Sequence, residues 1–198
     1  YAEIIKKIDI IGNKRISYGT ILVLGDVSIG DDFNSQQINS TLKKLYETDF
    51  FSDIKINLVD GNLKITLKEN PIIEDIEITG IKNKTFIKTI ADNMVLKNRM
   101  SFTENLLSND LDLIKNILKT NGFYFAKVEP SLSKNDELNS VRLKINIDRG
   151  EKARIKEIVF IGDKKIKDKK LLEIIASEEH KFWKFVSRKV YLNQSLIN

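Results

Sequence analysis

Apolar residues recur along this chain in a fixed phrase, Ile-x-x-Ile-x-(Ile/Phe)-x-Gly, which occurs three times with identical spacing. It is carried by Ile5, Ile8, Ile10 and Gly12, then by Ile73, Ile76, Ile78 and Gly80, and again by Ile155, Ile158, Phe160 and Gly162. A β-branched run that ends on glycine reads as a strand followed by a turn. The glycines lie 68 and 82 residues apart, longer than most solenoid repeats, so each period is long enough to be a small domain with its own core. The pattern predicts domains at 1–70 and 71–149 and a third, cut short, at 150–198.

Within the first period, residues 4–11 are expected as one largely buried strand and 16–24 as one or two helical turns. Behind the cap residues Asn34 and Ser35, the spacing of Ile38, Leu42, Leu45 and Tyr46 places one apolar stripe on a helix. Ile54, Ile56 and Leu58 then alternate with Lys55 and Asn57, and beyond Asp60-Gly61 the residues Leu63, Ile65 and Leu67 alternate with Lys64 and Thr66. That is a hairpin, each strand having one apolar face. The second period repeats the order. A strand over 72–79 is followed by helices carrying Ile87, Ile90 and Met94 and then Leu107, Leu111, Ile114 and Leu118. A strand over 123–132, a polar loop over 133–140 and a strand through Val141, Leu143, Ile145 and Ile147 complete it.

Each complete period is therefore β-α-α-β-β. The expected class is α+β: tandem units, each a three-stranded mixed sheet covered on one face by two helices. The first and third strands run parallel through a right-handed crossover, and the last two form an antiparallel hairpin. The third strand takes the centre, so the second is left at an edge with unpaired backbone donors and acceptors.

Composition narrows the chemistry. Of 198 residues, 41% are hydrophobic and 31% charged, a foldable balance. No window approaches the ~20 continuous apolar residues of a membrane-spanning helix. Tyr1-Ala2-Glu3 opens directly into the repeat pattern, so an export signal is expected to be either already removed or absent. Cysteine is absent, which excludes disulfides, thiol catalysis and cysteine-based zinc sites. The net charge of +5 comes from interspersed residues and reads as a solvated lysine surface, with nucleic-acid binding as the sharper alternative. His180 has no second histidine at ligand spacing and reads as a solvated loop residue, so no metal is expected. Phe182, Trp183 and Phe185 among Lys181, Lys184 and Arg188 read as interhelical packing, with a partner contact or a stacking patch as alternatives. No phosphate loop, nucleophile elbow or His-Glu-x-x-His motif is present, so no catalytic or cofactor-binding residue is expected.

Several longer strings carry a resemblance. They are Ile8-Asp9-Ile10-Ile11-Gly12-Asn13-Lys14-Arg15-Ile16, the Lys-Glu-x-Pro junction of Lys68, Glu69 and Pro71, and Asn121-Gly122-Phe123-Tyr124 ahead of a strand; a fourth is Phe182-Trp183-Lys184-Phe185-Val186 with Arg188, Lys189 and Tyr191. Together they resemble POTRA domains, the polypeptide-transport-associated repeats of outer-membrane assembly proteins, over the whole chain. The match departs at Gly80-Ile81 and Gly162-Asp163, where Gly-Asn is usual, and at Asp49-Phe50, where glycine precedes the aromatic residue. The resemblance implies a non-enzymatic periplasmic portion of a longer protein with a C-terminal membrane β-barrel. It implies unfolded outer-membrane proteins and assembly lipoproteins as partners, without cofactor, metal or nucleic acid.

It also raises strand addition as the mode of binding, at an edge comprising Tyr124, Phe125, Ala126, Lys127, Val128 and Glu129. A structural edge blocked by Lys127, Glu129 and Pro130 is the alternative. A secondary edge comprises Asp53, Ile54, Lys55, Ile56 and Asn57. Glu69, Asn70 and Pro71, with Arg149 and Gly150, are expected at the joints between repeats. A POTRA region of a two-partner secretion or related translocation barrel is the alternative within the family. A salt titration separates these readings from a basic nucleic-acid-binding repeat: nucleic-acid affinity falls steeply with salt, whereas strand addition is expected to be much less salt-sensitive.

Overall fold

In a computed structural model, residues 3–154 are described. The third occurrence of the repeat phrase from Ile155 onward, together with His180, Phe182, Trp183 and Phe185, lies outside the described residues. The chain groups into two compact units. Among the described residues, the first runs to Ile76 and takes in Leu96–Leu107 and Leu132–Arg142; the second holds Glu77–Val95, Ser108–Ser131 and residues 143–154. The fold is α+β, as the periodicity predicts, with three-stranded sheets and the β-α-α-β-β order of the repeats.

The first sheet is built from β2 (Lys7–Ile11), β4 (Phe51–Val59) and β5 (Asn62–Glu69) in the order β2-β5-β4. β2 runs parallel to β5, pairing Ile8 with Leu63 and Ile10 with Ile65, and β4 runs antiparallel to it. Alternation on β5 is complete: Leu63, Ile65 and Leu67 are buried while Lys64, Thr66 and Lys68 face solvent. Helices α1 (Tyr18–Gly25) and α2 (Ser35–Tyr46) cover the buried face. Asn34 caps α2 in a capping box with Gln37, which satisfies amides that would otherwise be orphaned at the helix start.

One expectation fails in this unit. Residues 4–11 are not a single buried strand: Glu3–Ile4 forms a separate β1 that pairs antiparallel with β3 (Asp32–Phe33). The chain turns aside because Ile5 is held by its N–H to the Asp31 carbonyl and by its carbonyl to the Gly30 N–H. The amides of Lys6 and Lys7 donate instead to Gly61. Ile5 and Ile8 therefore enter the core, whereas Ile4 and Ile11 stay 58% and 49% exposed.

The repeat phrase now has a physical cause. Gly12 follows β2 at φ 95°, and a Cβ there would fall on the carbonyl oxygen of Leu67 in the central strand. Gly80, at φ 87°, stands in the same relation to the carbonyl of Ile147. Only glycine allows the first strand to close this tightly on the central one while taking a positive φ.

Two residues beyond Leu67, Glu69 is 3% exposed and accepts hydrogen bonds from the backbone amides of Lys14, Arg15 and Ile16 at 2.7, 2.9 and 3.0 Å. The Arg15 guanidinium pairs with the same carboxylate at 3.2 Å. Burial pushes this carboxyl up, but the three amides and the Arg15 charge outweigh it and hold it below its ordinary 4.5. Asn70 donates to the Asp49 carbonyl at 2.8 Å, and Asn139 donates to the Glu69 carbonyl at 3.2 Å.

In the second repeat, β6 (Ile72–Thr79), β7 (Lys127–Asn135) and β8 (Ser140–Asp148) are ordered β6-β8-β7. Helix α3 (Lys84–Asn93) is capped by Asn83 and buries Ile90; α4 (Glu104–Thr120) buries Leu107, Ile114 and Leu118. The strand expected over 123–132 begins four residues later, at Lys127, and runs on to Asn135, into the first part of the stretch expected as loop. Phe123 is still bound to the end of α4, its N–H donating to the Leu118 carbonyl at 2.9 Å, and a turn from Phe123 to Ala126 follows. At the far end, Asn139 takes a positive φ of 46° and confines the turn to residues 136–139.

Glu69→Ala leaves three amides without their acceptor and is expected to cost about 3 kcal/mol in urea unfolding at neutral pH. Because the folded pKa is depressed, this stabilisation is present above 4.5 and is lost as pH falls through the lower folded value. The stability gap between the unsubstituted chain and Glu69→Gln is therefore expected to narrow in acid. A gap that stays constant with pH would show that the charge on Glu69 is not what holds residues 14–16.

Candidate polypeptide-binding edges

A two-residue turn at Asp60 and Gly61, with φ of 53° and 81°, closes the β4–β5 hairpin with Val59 opposite Asn62. Such a turn makes the flanking pair exchange both backbone hydrogen bonds, and bonded and non-bonded pairs alternate from there. Asn57 and Lys55 thus point their amides inward to β5, and Leu58, Ile56 and Ile54 point theirs outward. The outward amide of Ile54 confirms the parity, since it donates to the Tyr46 hydroxyl at 3.0 Å instead of to β5. Along β4 the apolar residues that face the helices are therefore also the residues whose N–H and C=O face the open edge. Asp53 and Lys55 sit on the solvent face, 3.9 Å apart and both exposed, where the contribution of the pair is small.

On β7 the marker of parity is Pro130. A proline nitrogen cannot donate to a ladder, so on an edge strand it sits where that nitrogen faces away from the neighbouring strand. Counting in twos, Val128 and Leu132 direct their amides outward, while Lys127, Glu129 and Ser131 direct theirs toward β8. Burial agrees with the pleat: Val128 and Leu132 are half-buried and Lys127, Glu129 and Ser131 are exposed.

The remaining candidate residues have these places. Of the six on the second-repeat edge, Lys127, Val128 and Glu129 lie on the strand, and Tyr124, Phe125 and Ala126 lie in the turn before it. Phe125 is 80% exposed there, and the Tyr124 hydroxyl is buried without a hydrogen-bond partner among the described residues. Glu69 and Asn70 are buried and bonded as described, and the Pro71 carbonyl accepts from Phe102 at 2.8 Å. Arg149 stacks its guanidinium 5.0 Å above the Phe123 ring, and the Gly150 N–H bonds to the Asp148 carboxylate at 3.1 Å.

Sequence reasoning missed two residues. Tyr46 reads as the end of the α2 stripe, yet its hydroxyl caps an edge amide; the available signal was that a tyrosine hydroxyl at a buried stripe needs a partner. Asn139 reads as loop, yet it both receives the Ile72 amide on its carbonyl, at 3.0 Å, and bonds the Glu69 carbonyl. Beside the start of β4 a groove of about 630 Å³ opens, with Tyr46, Phe51, Ser52, Pro71, Phe102 and Asn139 on its walls. Among the described residues, no helix is long and apolar enough to cross a membrane. What these edges offer chemically is a row of backbone donors and acceptors, which recognises an extended chain without reading its side chains.

Comparison with known proteins agrees with this architecture. Residues 71–150 match the sequence model of the POTRA family, described as surface antigen variable number repeat. The outer membrane protein assembly factor BamA of Neisseria meningitidis serogroup B is 28% identical over 192 residues, 96% of this chain and 24% of the relative. BamA of Neorickettsia risticii is 27% identical over 180 residues, 90% of this chain and 24% of the relative. The chain thus spans about a quarter of the length of these relatives. Its fold is similar to that of the N-terminal domain of Omp85 from Thermosynechococcus elongatus, with a TM-score of 0.53 at 11% identity, over 100% of this chain and 82% of that one. The resemblance to POTRA repeats read first from short motifs is matched by the family model over residues 71–150, and the similarity to the BamA relatives extends over 90% or more of this chain.

Pro130→Ala adds one amide to β7. We expect that amide to exchange as fast as a loop amide while Glu129 and Ser131 stay protected, with a stability change of about 1 kcal/mol or less. Protection at position 130 would reverse the parity assigned to this edge.

Proposed function

We propose that the chain is a run of POTRA repeats and forms the periplasmic polypeptide-binding and scaffolding part of an outer-membrane protein assembly factor. It receives unfolded outer-membrane proteins as added strands, first along β7 and secondarily along β4, and offers its remaining surfaces to assembly lipoproteins ahead of a membrane β-barrel. Its contribution is binding and placement rather than catalysis.

The observation that carries this reading is the position of the outer strand. Among the described residues each central strand is paired on both sides and each outer strand on one, so β4 and β7, two of the four outer strands, each turn one row of N–H and C=O groups away from their ladder. Clients that will become barrels are alternating strands with little else in common. Backbone pairing suits them because every residue except proline supplies the same donor and acceptor. The half-buried Val128 and Leu132 keep the strand seated on its own domain while their backbone groups are presented outward.

The test separates backbone from side-chain recognition. Val128→Pro removes an outward donor and is expected to weaken an alternating barrel-strand peptide about tenfold, read by amide chemical shifts, without loss of helix signal in circular dichroism. Lys127→Ala is expected to leave affinity unchanged, and Lys127→Pro to disturb the fold because that amide points to β8. Unchanged affinity in folded Val128→Pro, or a large loss in Lys127→Ala, would reject strand addition at this edge.

A further inference from the structure

Strand addition at β4 requires the outward amides of Ile54, Ile56 and Leu58, and the first of them is already taken. The Tyr46 hydroxyl accepts it at 3.0 Å from the last residue of α2. Among the described residues the other amides of this row have no such cap: the hydroxyl reaches one position only, near the start of the strand. We propose that Tyr46 is a latch on the first-repeat edge, a built-in occupant that holds the place of an incoming strand's carbonyl and confines pairing to the Ile56–Leu58 end until it swings aside. The inference rests on the strand-addition reading above and concerns how one of its two edges is controlled.

Three features make the contact a latch and not simply a part of the core. Tyr46 is 44% exposed, so its side chain is not enclosed by the core. It stands on the wall of the groove of about 630 Å³ beside Phe51 and Ser52, which gives it somewhere to go. An arriving backbone carbonyl replaces the hydroxyl as acceptor one for one, so no amide is left unpaired in the exchange. β7 blunts its edge differently, by the missing donor of Pro130, which no ligand can restore. The two edges thus differ in kind: β4 is closed reversibly at one end, and β7 is permanently interrupted in the middle.

Tyr46→Phe keeps the ring and removes the acceptor. In the full chain, with circular dichroism confirming the fold, hydrogen exchange at Ile54 is expected to accelerate about fivefold or more while Lys55 and Asn57, paired to β5, stay unchanged. On titration with a peptide of about ten residues in the alternating pattern of a barrel strand, chemical-shift changes on β4 are expected to spread from Ile56 and Leu58 to Ile54. Affinity at β4 is expected to rise about fivefold and that at β7 to stay the same. Unchanged Ile54 exchange, or an unchanged β4 footprint and affinity with β7 still responding, would overturn the latch alone. No response on either strand in either protein would remove the strand-addition reading, and with it the latch as a control on binding.

Discussion

The close seating of the first strand on the central strand is the constraint from which the rest of each repeat follows. Gly12 and Gly80 mark the place where no side chain fits between the two strands, because a Cβ would occupy the position of a carbonyl oxygen. That contact sets the parallel register of β2 on β5, with Ile8 opposite Leu63 and Ile10 opposite Ile65, and thereby decides which isoleucines enter the core. It also brings the chain beyond Gly12 alongside the end of β5, where Glu69 waits for the amides of residues 14–16. A carboxylate that receives three amides and a guanidinium in a site nearly closed to water is strongly held only if all its partners arrive together. The glycine contact is what delivers them.

A central strand paired on both sides leaves two outer strands in each sheet, and an open edge such as that of β4 or β7 is both a binding surface and a hazard. The two repeats manage it by different means at single positions. Tyr46 occupies one amide of β4 with a hydroxyl, and Pro130 deletes one amide of β7. In each strand the outward backbone groups belong to the residues whose side chains face the helices, so a bound strand would be held by positions that the domain itself keeps rigid.

The same geometric need is met by different residues in the two repeats. Where the second has Gly122 at φ 87° between α4 and Phe123, the first has Asp49 at φ 58° between α2 and Phe50. The departure from the usual Gly-aromatic pair therefore keeps the left-handed turn and changes only its chemistry, because aspartate is among the non-glycine residues that tolerate this conformation best. The Asp49 carbonyl is then bound by the Asn70 side chain, which ties the turn to the end of β5.

The pattern of the sequence alone determined the repeat phrase, the order of the main strands and helices, the central place of the third strand and the edge position of the second. These depend on local periodicity and on the rule that a crossover returns parallel, and both are written in short windows. It misplaced the start of β7, since Phe123, Tyr124 and Phe125 look like strand but Phe123 is spent on closing α4. It also joined β1 to β2, since nothing in the isoleucine run shows that Asp31 and Gly30 will take the backbone of Ile5. What only the tertiary structure decided is which amides face outward and what meets them. Tyr46 reaching Ile54, and Glu69 reaching back across 53 to 55 residues, are hydrogen bonds whose existence depends on register and packing. A register shift of one residue would turn every one of those groups to the opposite side, and no local pattern of apolar and polar residues carries that information.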